Sequence, residues 1–277
     1  MGSMPDAPTI QQQEEEQEAE QQPNGKANDI IPPTASVYLN PQYWDDRFVK
    51  EDHYEWFKDY SQFRHLVVSY LTPSDRVLEL GCGSSQMCDG LYGDGITQIT
   101  CIDISPVAVE KTQKRLTVKG FHGVKVLVMD MLNLPFDSES YDAVIEKGTM
   151  DVLLVDSGDP WNPKPEAVSK ANAMLKGVHR VLTPEGIFIS ISFGQPHFRR
   201  PLFEAAGFTW SMQWNTFGDG FHYFFYTLKK GTTKASFNQD RREKEVNWNS
   251  ISLYQEHLDS ENYLFQSHLA DDNDLED

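Results

Sequence analysis

The chain has 277 residues, with 24 Lys and Arg against 42 Asp and Glu and a formal net charge of −18. Proteins that bind nucleic acids or anionic membranes carry clusters of basic residues. The chain has no such clusters, which argues against both kinds of partner. No run of about 18 apolar residues occurs, so we expect no membrane-spanning segment.

Composition divides the chain into a central domain and two acidic tails. Residues 1–40 carry seven acidic side chains and one lysine, with a Gln/Glu run and few apolar groups to offset the entropy of ordering. Residues 231–277 carry eleven acidic and four basic side chains, which leaves −5 for residues 41–230. We therefore predict a domain at 41–230 between two disordered tails. The tails serve solubility or, alternatively, the docking of a basic protein.

Residues 41–230 alternate amphipathic stretches with apolar, strand-like runs, the pattern of βαβ units. The predicted helices are 43–50, 61–71, 84–91, 106–118, 165–182 and 197–205. The predicted parallel strands are 76–82, 99–103, 124–130, 141–147 and 186–193. Two aromatic-rich runs, 208–217 and 221–230, meet across Gly218-Asp219-Gly220 and predict a hairpin. The predicted fold is α/β: a Rossmann-like seven-stranded mixed sheet, five strands parallel plus a C-terminal hairpin, with helices on both faces.

The first parallel strand runs into a glycine turn at Glu79-Leu80-Gly81-Cys82-Gly83. Gly81 and Gly83 allow the backbone to approach a ligand more closely than a Cβ would permit. The third glycine of the dinucleotide fingerprint is replaced by Gln86, which argues against an NAD-dependent dehydrogenase. The pattern favours S-adenosylmethionine (SAM), although such turns also occur without a ligand.

Acidic residues stand at the carboxyl ends of the next three strands, where doubly wound sheets bind their ligands. Asp103 follows the first glycine by 22 positions and is suited to accept both ribose hydroxyls. Asp130-Met131 can hold the adenine, and Glu146-Lys147 stands opposite the methionine part of the cofactor. Alternatively, Asp103 caps a helix, Met131 fills the core and Lys147 pairs with Glu146. Taken together, the strand ends predict a SAM site.

The three cysteines, Cys82, Cys88 and Cys101, have no paired metal-ligand spacing. They are typical of small buried residues in a reducing compartment. The first residues of the chain lack a secretory core. We therefore expect no metal site and a soluble, cytoplasmic monomer.

Five segments, two of which overlap the strand ends above, resemble those of one protein family: Tyr43-Trp44-Asp45-x-Arg47-Phe48, Tyr54-Glu55-Trp56-Phe57, Leu80-Gly81-Cys82-Gly83, Glu146-Lys147-Gly148-Thr149-Met150-Asp151 and Gly220-Phe221-His222. With these segments, residues 41–230 resemble the methyltransferase-like proteins that modify lysines of translation elongation factor 1-alpha. The stretch from Glu146 to Asp151 is the most specific part. Position 150 departs from the family's usual Leu, which is a tolerable apolar exchange.

The resemblance implies that three aromatic residues, Trp44, Phe48 and Trp56, close over the cofactor. It also implies cofactor contacts by Gly81, Asp103-Ile104, Asp130-Met131 and Lys147. Ordinary core packing is the alternative role of the three aromatics. Phe48 stands where the family commonly has tyrosine, so a hydroxyl contact is lost there.

The predicted function is methyl transfer from SAM to a lysine of a protein, elongation factor 1-alpha being the expected substrate. Four residues are candidates to line the acceptor channel: Asp151, Trp161, His222 and Tyr223. Asp151 is suited to steer an incoming ammonium, or else it caps a helix. No residue is identified as an obligatory general base. A small-molecule methyltransferase of the same fold and a SAM-binding scaffold without turnover remain alternatives.

Overall fold

The computed structural model of the chain describes residues 32–231. Most of the two predicted tails, residues 1–31 and 232–277, lies outside the described residues. Within the described residues, a 3-10 helix at Ala35–Leu39 precedes the predicted domain boundary at residue 41. Tyr38 in this helix is 3 % exposed, so the segment packs on the domain.

A seven-stranded sheet forms the centre of the molecule. Its strands are β1 (Arg76–Leu80), β2 (Gln98–Asp103), β3 (Lys125–Val128), β4 (Tyr141–Lys147), β5 (Leu182–Ser192), β6 (Trp210–Phe217) and β7 (Tyr223–Lys230). They lie in the order β3-β2-β1-β4-β5-β7-β6. The first five strands are parallel, and β7 is antiparallel to both β5 and β6. The predicted mixed sheet with its C-terminal hairpin is confirmed.

Seven α-helices accompany the sheet within the described residues. They are α1 (Pro41–Lys50), α2 (Tyr60–Val67), α3 (Met87–Gly93), α4 (Pro106–Val118), α5 (Thr149–Leu154), α6 (Pro165–Val181) and α7 (Pro196–Phe203). None of the helices between residues 32 and 231 is both long and apolar enough to cross a membrane.

Two apolar clusters cover the two faces of the sheet. Val77 of β1 belongs to one cluster, together with apolar residues of α2, α3 and α4. Its neighbours Leu78 and Leu80 belong to the other cluster, with residues of α5, α6 and α7. Side chains alternate between the faces of a strand, so β1 is apolar on both sides, as a central parallel strand requires.

Several boundaries differ from the prediction for identifiable reasons. Strand β5 starts at Leu182, because Leu182 pairs with Tyr141 and the register then shifts around Pro184, which lacks an N–H to donate. Strand β3 ends at Val128, so Asp130 follows the strand instead of closing it. Helix α5, directly after β4, was not predicted because its six residues are too few to show a helical period.

Candidate active site

A cavity opens at the carboxyl ends of β1, β2 and β4, the edge at which the sequence predicts a ligand. The 3-10 helix, α1 and the segment before α2 form its outer wall. Its lining includes Tyr38, Trp44, Phe48, Trp56, Phe57, Glu79, Gly81, Gly83, Asp103, Ile104, Asp130, Met131, Lys147, Thr149, Asp151 and Phe193.

The glycine turn after β1 forms the floor of the cavity. Gly81 and Gly83 have φ values of 68° and 48°, in the region that disfavours side chains. A Cβ on Gly81 would lie 2.3 Å from Thr149 Oγ1, and that hydroxyl donates to the carbonyl of Leu80 at 3.0 Å. Position 81 therefore needs glycine for both its backbone angle and its contact with α5.

Asp103, at the end of β2, is 7 % exposed and held by backbone donors. Its Oδ2 accepts the N–H of Gly83 at 2.8 Å, and its Oδ1 accepts the N–H of Ser105 at 2.9 Å. Burial raises the pKa of the carboxyl, and the two N–H donors oppose that shift. The helix cap itself is Ser105, whose Oγ accepts the N–H of Ala108. Each carboxylate oxygen keeps a lone pair, so Asp103 can still accept hydroxyls of a ribose.

The neighbouring strand ends contribute Ile104, Asp130 and Met131 to the cavity wall. Ile104 is 44 % exposed, which is unusual for a large apolar side chain and is consistent with an apolar ligand face. The exposed Asp130 accepts the N–H of Leu132 at 2.8 Å and so shapes its own turn. Met131 lines the cavity and also packs against the core, so its two predicted roles coincide.

The three aromatic residues named above lie together in the outer wall. The Trp44 and Phe48 rings stack at 5.7 Å, and those of Trp44 and Trp56 meet edge to face at 6.3 Å. The prediction missed Tyr38, whose carbonyl accepts the Trp44 indole N–H at 2.8 Å. The apolar cluster Val37-Tyr38-Leu39 was the available indication that this segment folds.

Two glutamates that the prediction passed over fasten this wall to the glycine turn. Glu51 accepts the hydroxyl of Ser84 at 2.9 Å and pairs with Arg47 at 2.8 Å. Glu55 accepts the hydroxyl of Ser85 at 2.8 Å and the N–H of Gln86 at 2.6 Å. These contacts hold residues 84–86 out of the helix predicted from residue 84, so α3 starts only at Met87.

Lys147 lines the cavity at the end of β4, but its ammonium is already engaged. It donates to Glu55 Oε2 at 2.6 Å and to the carbonyl of Trp56 at 2.7 Å. Burial lowers the pKa of Lys147, and the charge of Glu55 opposes this. Its partner is therefore Glu55 and not the adjacent Glu146. Lys147 holds Trp56 and its neighbours against the sheet.

Glu146, predicted as a cofactor contact, is fully buried and lies outside the cavity lining. Its Oε2 accepts the N–H groups of Thr149 and Met150, at 2.9 and 3.0 Å, and its Oε1 accepts the hydroxyl of Ser190. Burial raises the pKa of Glu146 to about 7. The prediction assigned a ligand role to a residue that caps α5, because a strand-end carboxylate has the same sequence pattern in both roles.

The structure does not bring together the four residues that were predicted to line the acceptor channel. Only Asp151 lines the cavity, where it is 4 % exposed. His222 is exposed, and Tyr223 is buried against Phe57, with the two rings stacked at 5.3 Å. Trp161 is 70 % exposed and stacks on the ring of His197 at 5.0 Å.

Glu79 lies beneath the glycine turn with no cation in direct contact among the described residues. It is 2 % exposed, and the thiol of Cys101 donates to its Oε2 at 3.2 Å. Burial raises the pKa of Glu79 to about 7. Cys88 completes a group whose ligand atoms lie within 4.8 Å of one another. The hydrogen bond with Cys88 and burial raise the pKa of the Cys101 thiol.

These residues fit SAM. Asp103 presents fixed acceptors for the ribose hydroxyls, Ile104 and Met131 provide an apolar surface beside it, and the glycine turn leaves the cavity floor free of side chains. Trp44, Phe48 and Trp56 enclose the opposite side.

Comparisons with known proteins agree with this geometry. The profile of the methyltransferase domain family matches residues 71–223. The chain is 38 % identical to a Mus musculus protein named EEF1A lysine methyltransferase 4, over 73 % of the chain and 79 % of that protein. A Bos taurus protein of the same name is 39 % identical over the same shares. A structure solved in a study of thioacetal formation during echinomycin biosynthesis shares the fold, with a TM-score of 0.53 and 17 % identity over 73 % of this chain and 95 % of that one. The chain therefore belongs to the methyltransferase domain family and is a SAM-dependent methyltransferase.

Proposed function

We propose that the chain is a protein-lysine N-methyltransferase that acts on elongation factor 1-alpha. The observation that carries this proposal is the 38 % identity to a relative named for lysine methylation of that factor, over 73 % of the chain and 79 % of the relative. The motif from Glu146 to Asp151 lies within the matched family domain.

The chemistry requires a neutral amine. A lysine side chain has a reference pKa of about 10.4, so it must lose a proton before it can attack. Aromatic walls such as Phe57 and Phe193 lower that pKa by disfavouring the ammonium. Bound SAM supplies an electrophilic methyl group on a sulfonium. The lysine lone pair would form the N–C bond as the C–S bond breaks, the bonding pair would stay on sulfur, and the surplus proton would leave to solvent.

An exposed aromatic patch supports a protein acceptor over a small metabolite. Trp161 stacks on His197 and meets Phe198 edge-on at 5.1 Å. These residues follow the cavity-lining Val155 and Phe193 in the chain. A small substrate held inside the cavity has no need of such a surface, whereas a folded protein that inserts one lysine contacts the surface around the opening.

Recombinant elongation factor 1-alpha incubated with the chain and methyl-labelled SAM tests the proposal. We expect label on a lysine, located by mass spectrometry of the digested factor. The matched control is the chain with Gly81→Arg, which fills the floor of the cavity. Absence of lysine label with the wild-type chain, under conditions where calorimetry detects SAM binding, would contradict the proposal.

We further propose that the chain acts in the cytoplasm as a monomer without nucleic-acid or membrane partners. The −18 charge supports the absence of nucleic-acid and membrane partners, because a negatively charged surface repels nucleic acids and anionic lipids. Imaging of the tagged chain and light scattering of the purified chain test the location and the oligomeric state.

A further inference from the structure

Asp103 and Asp151 both line the cavity, but they are carried by different parts of the sheet. The sheet order places β2, β1, β4 and β5 side by side, and neighbouring strands are about 4.8 Å apart. Asp103 ends β2, whereas Asp151 follows β4 in helix α5, beside Ser192 at the end of β5. If the ribose lies at Asp103, Asp151 is roughly two strand spacings away from it across the sheet. This part of the cavity lies beyond the ribose and is therefore available to the acceptor.

One oxygen of the Asp151 carboxylate is fully used and the other is not. Oδ1 accepts Arg199 Nη2 at 2.5 Å and the hydroxyl of Ser192 at 2.7 Å. Oδ2 is buried and has no hydrogen-bond partner among the described residues. Buried polar atoms are almost always paired, so an orphaned carboxylate oxygen in a cavity wall needs an explanation.

The surroundings fix the orientation of this carboxylate. Ser192 Oγ accepts the N–H of Gly194 at 2.8 Å, and Arg199 Nε donates to the same oxygen at 3.3 Å. A Cβ on Gly194 would lie 2.6 Å from the Arg199 guanidinium, so the glycine makes room for the arginine. The side chains of Arg199 and Asp151 are only 6 % and 4 % exposed. Asp151 therefore cannot turn to exchange its two oxygens without breaking this network.

We propose that Asp151 Oδ2 accepts a hydrogen bond from the attacking amine of the acceptor and so directs the amine lone pair towards the methyl group. Arg199 and Ser192 are positioning residues that reserve Oδ2 for this contact. The inference rests on the proposed function, since it requires an amine acceptor. Arg199 and Ser192 carried no sequence indication of this role, because they meet Asp151 only across 48 and 41 residues of chain.

The substitution Asp151→Asn in the full-length chain separates this role from a structural one. The amide oxygen can still accept from Arg199 and Ser192, which places the amide NH2 where Oδ2 stood. A misdirected nucleophile typically loses about 100-fold in rate. We expect kcat on elongation factor 1-alpha, measured well below the melting temperature, to fall by about that factor with the SAM Kd from calorimetry unchanged. The melting temperature should fall as well, because Arg199 loses its buried counter-ion. Arg199→Lys, which keeps the charge but loses the planar fork, should lower kcat less.

The matched control is Glu204→Gln, an exposed glutamate 3.9 Å from Arg200 at the end of α7, which should leave all three quantities unchanged. Retention of wild-type kcat by Asp151→Asn would overturn the inference. So would a fall in SAM affinity that accounts for the lost rate, because Oδ2 would then serve the cofactor. If the wild-type chain labels no lysine, the proposed function fails first, which distinguishes the two failures.

Discussion

At the scale of single residues, Gly81 carries the tightest steric requirement of the site. Its φ is 68°, and an added Cβ would meet Thr149 Oγ1 at 2.3 Å. Gly120 has nearly the same φ, 70°, but open space around it. We expect Gly120→Ala to lower the free energy of unfolding by about 1 kcal/mol, the cost of the backbone angle alone. Gly81→Ala should lower the free energy of unfolding by about 1–3 kcal/mol more than Gly120→Ala does, because its methyl group also overpacks against Thr149.

Chemical denaturation of both variants measures the difference, and calorimetry with SAM measures its effect on the site. Equal losses in the two variants would show that the contact with Thr149 is not tight. A normal SAM affinity in Gly81→Ala would argue against the glycine turn as the cavity floor.

Glu79 gives the site a pH dependence. Burial raises its pKa to about 7 from an ordinary value near 4.5, so the folded state holds a proton that the unfolded state has lost. Because the folded state binds this proton and the unfolded state does not, the free energy of unfolding falls as the pH rises from about 4.5 to 7. We expect about 2–3 kcal/mol of stability to be lost across that range.

Glu79→Gln mimics the protonated carboxyl and still accepts the thiol of Cys101. Denaturation of both proteins at pH 5 and pH 8 should show a smaller fall for the variant, which becomes the more stable protein at pH 8. Parallel losses in the two proteins would show that Glu79 titrates normally in the folded chain.

At the scale of elements, a buried ion pair ties the segment between α1 and α2 to strand β4. Glu55 and Lys147 meet at 2.6 Å, with side chains 11 % and 4 % exposed. Removing one partner of a buried pair costs roughly 3 kcal/mol, since the remaining charge has no counter-ion. We expect Glu55→Gln to lose about this much stability and to bind SAM at least about tenfold more weakly, because Trp56 is no longer held against the cavity.

Glu110→Gln is the matched control, since Glu110 pairs with Lys114 at the same 2.6 Å but on the surface. An exposed pair of this kind contributes at most about 0.5 kcal/mol. Thermal melts and SAM titrations of both variants compare the pairs. If both variants lost only a little stability and SAM affinity, Glu55 would not be what holds the outer wall of the cavity in place.

Sequence reasoning succeeded where information is local. The parallel strands are continuous apolar runs, and the glycine turn and Asp103 stand at fixed positions relative to them. Glu55 of the outer wall was missed because its partners are distant in sequence: it lies 92 residues from Lys147. For Glu146 the sequence leaves two roles open, since the local sequence does not distinguish a helix cap from a ligand contact.

At the scale of the whole molecule, one end of the sheet holds both halves of the proposed reaction. The predicted cofactor residues of the glycine turn and Asp103 stand at the ends of β1 and β2, and the proposed acceptor contact lies between β4 and β5. Loops at this edge can vary without disturbing the two apolar clusters that stabilise the sheet. The fold therefore accounts for methyl transfer, while the identity of the acceptor depends on the surface around the cavity.

Labelling of a whole-cell lysate tests the central claim most directly. The lysate is freed of endogenous SAM and incubated with the chain and methyl-labelled SAM, and the protein and metabolite fractions are then separated. We predict label in one major protein band, identified by mass spectrometry as elongation factor 1-alpha methylated on lysine. Label confined to the metabolite fraction, or no label in either fraction despite SAM binding, would contradict the account.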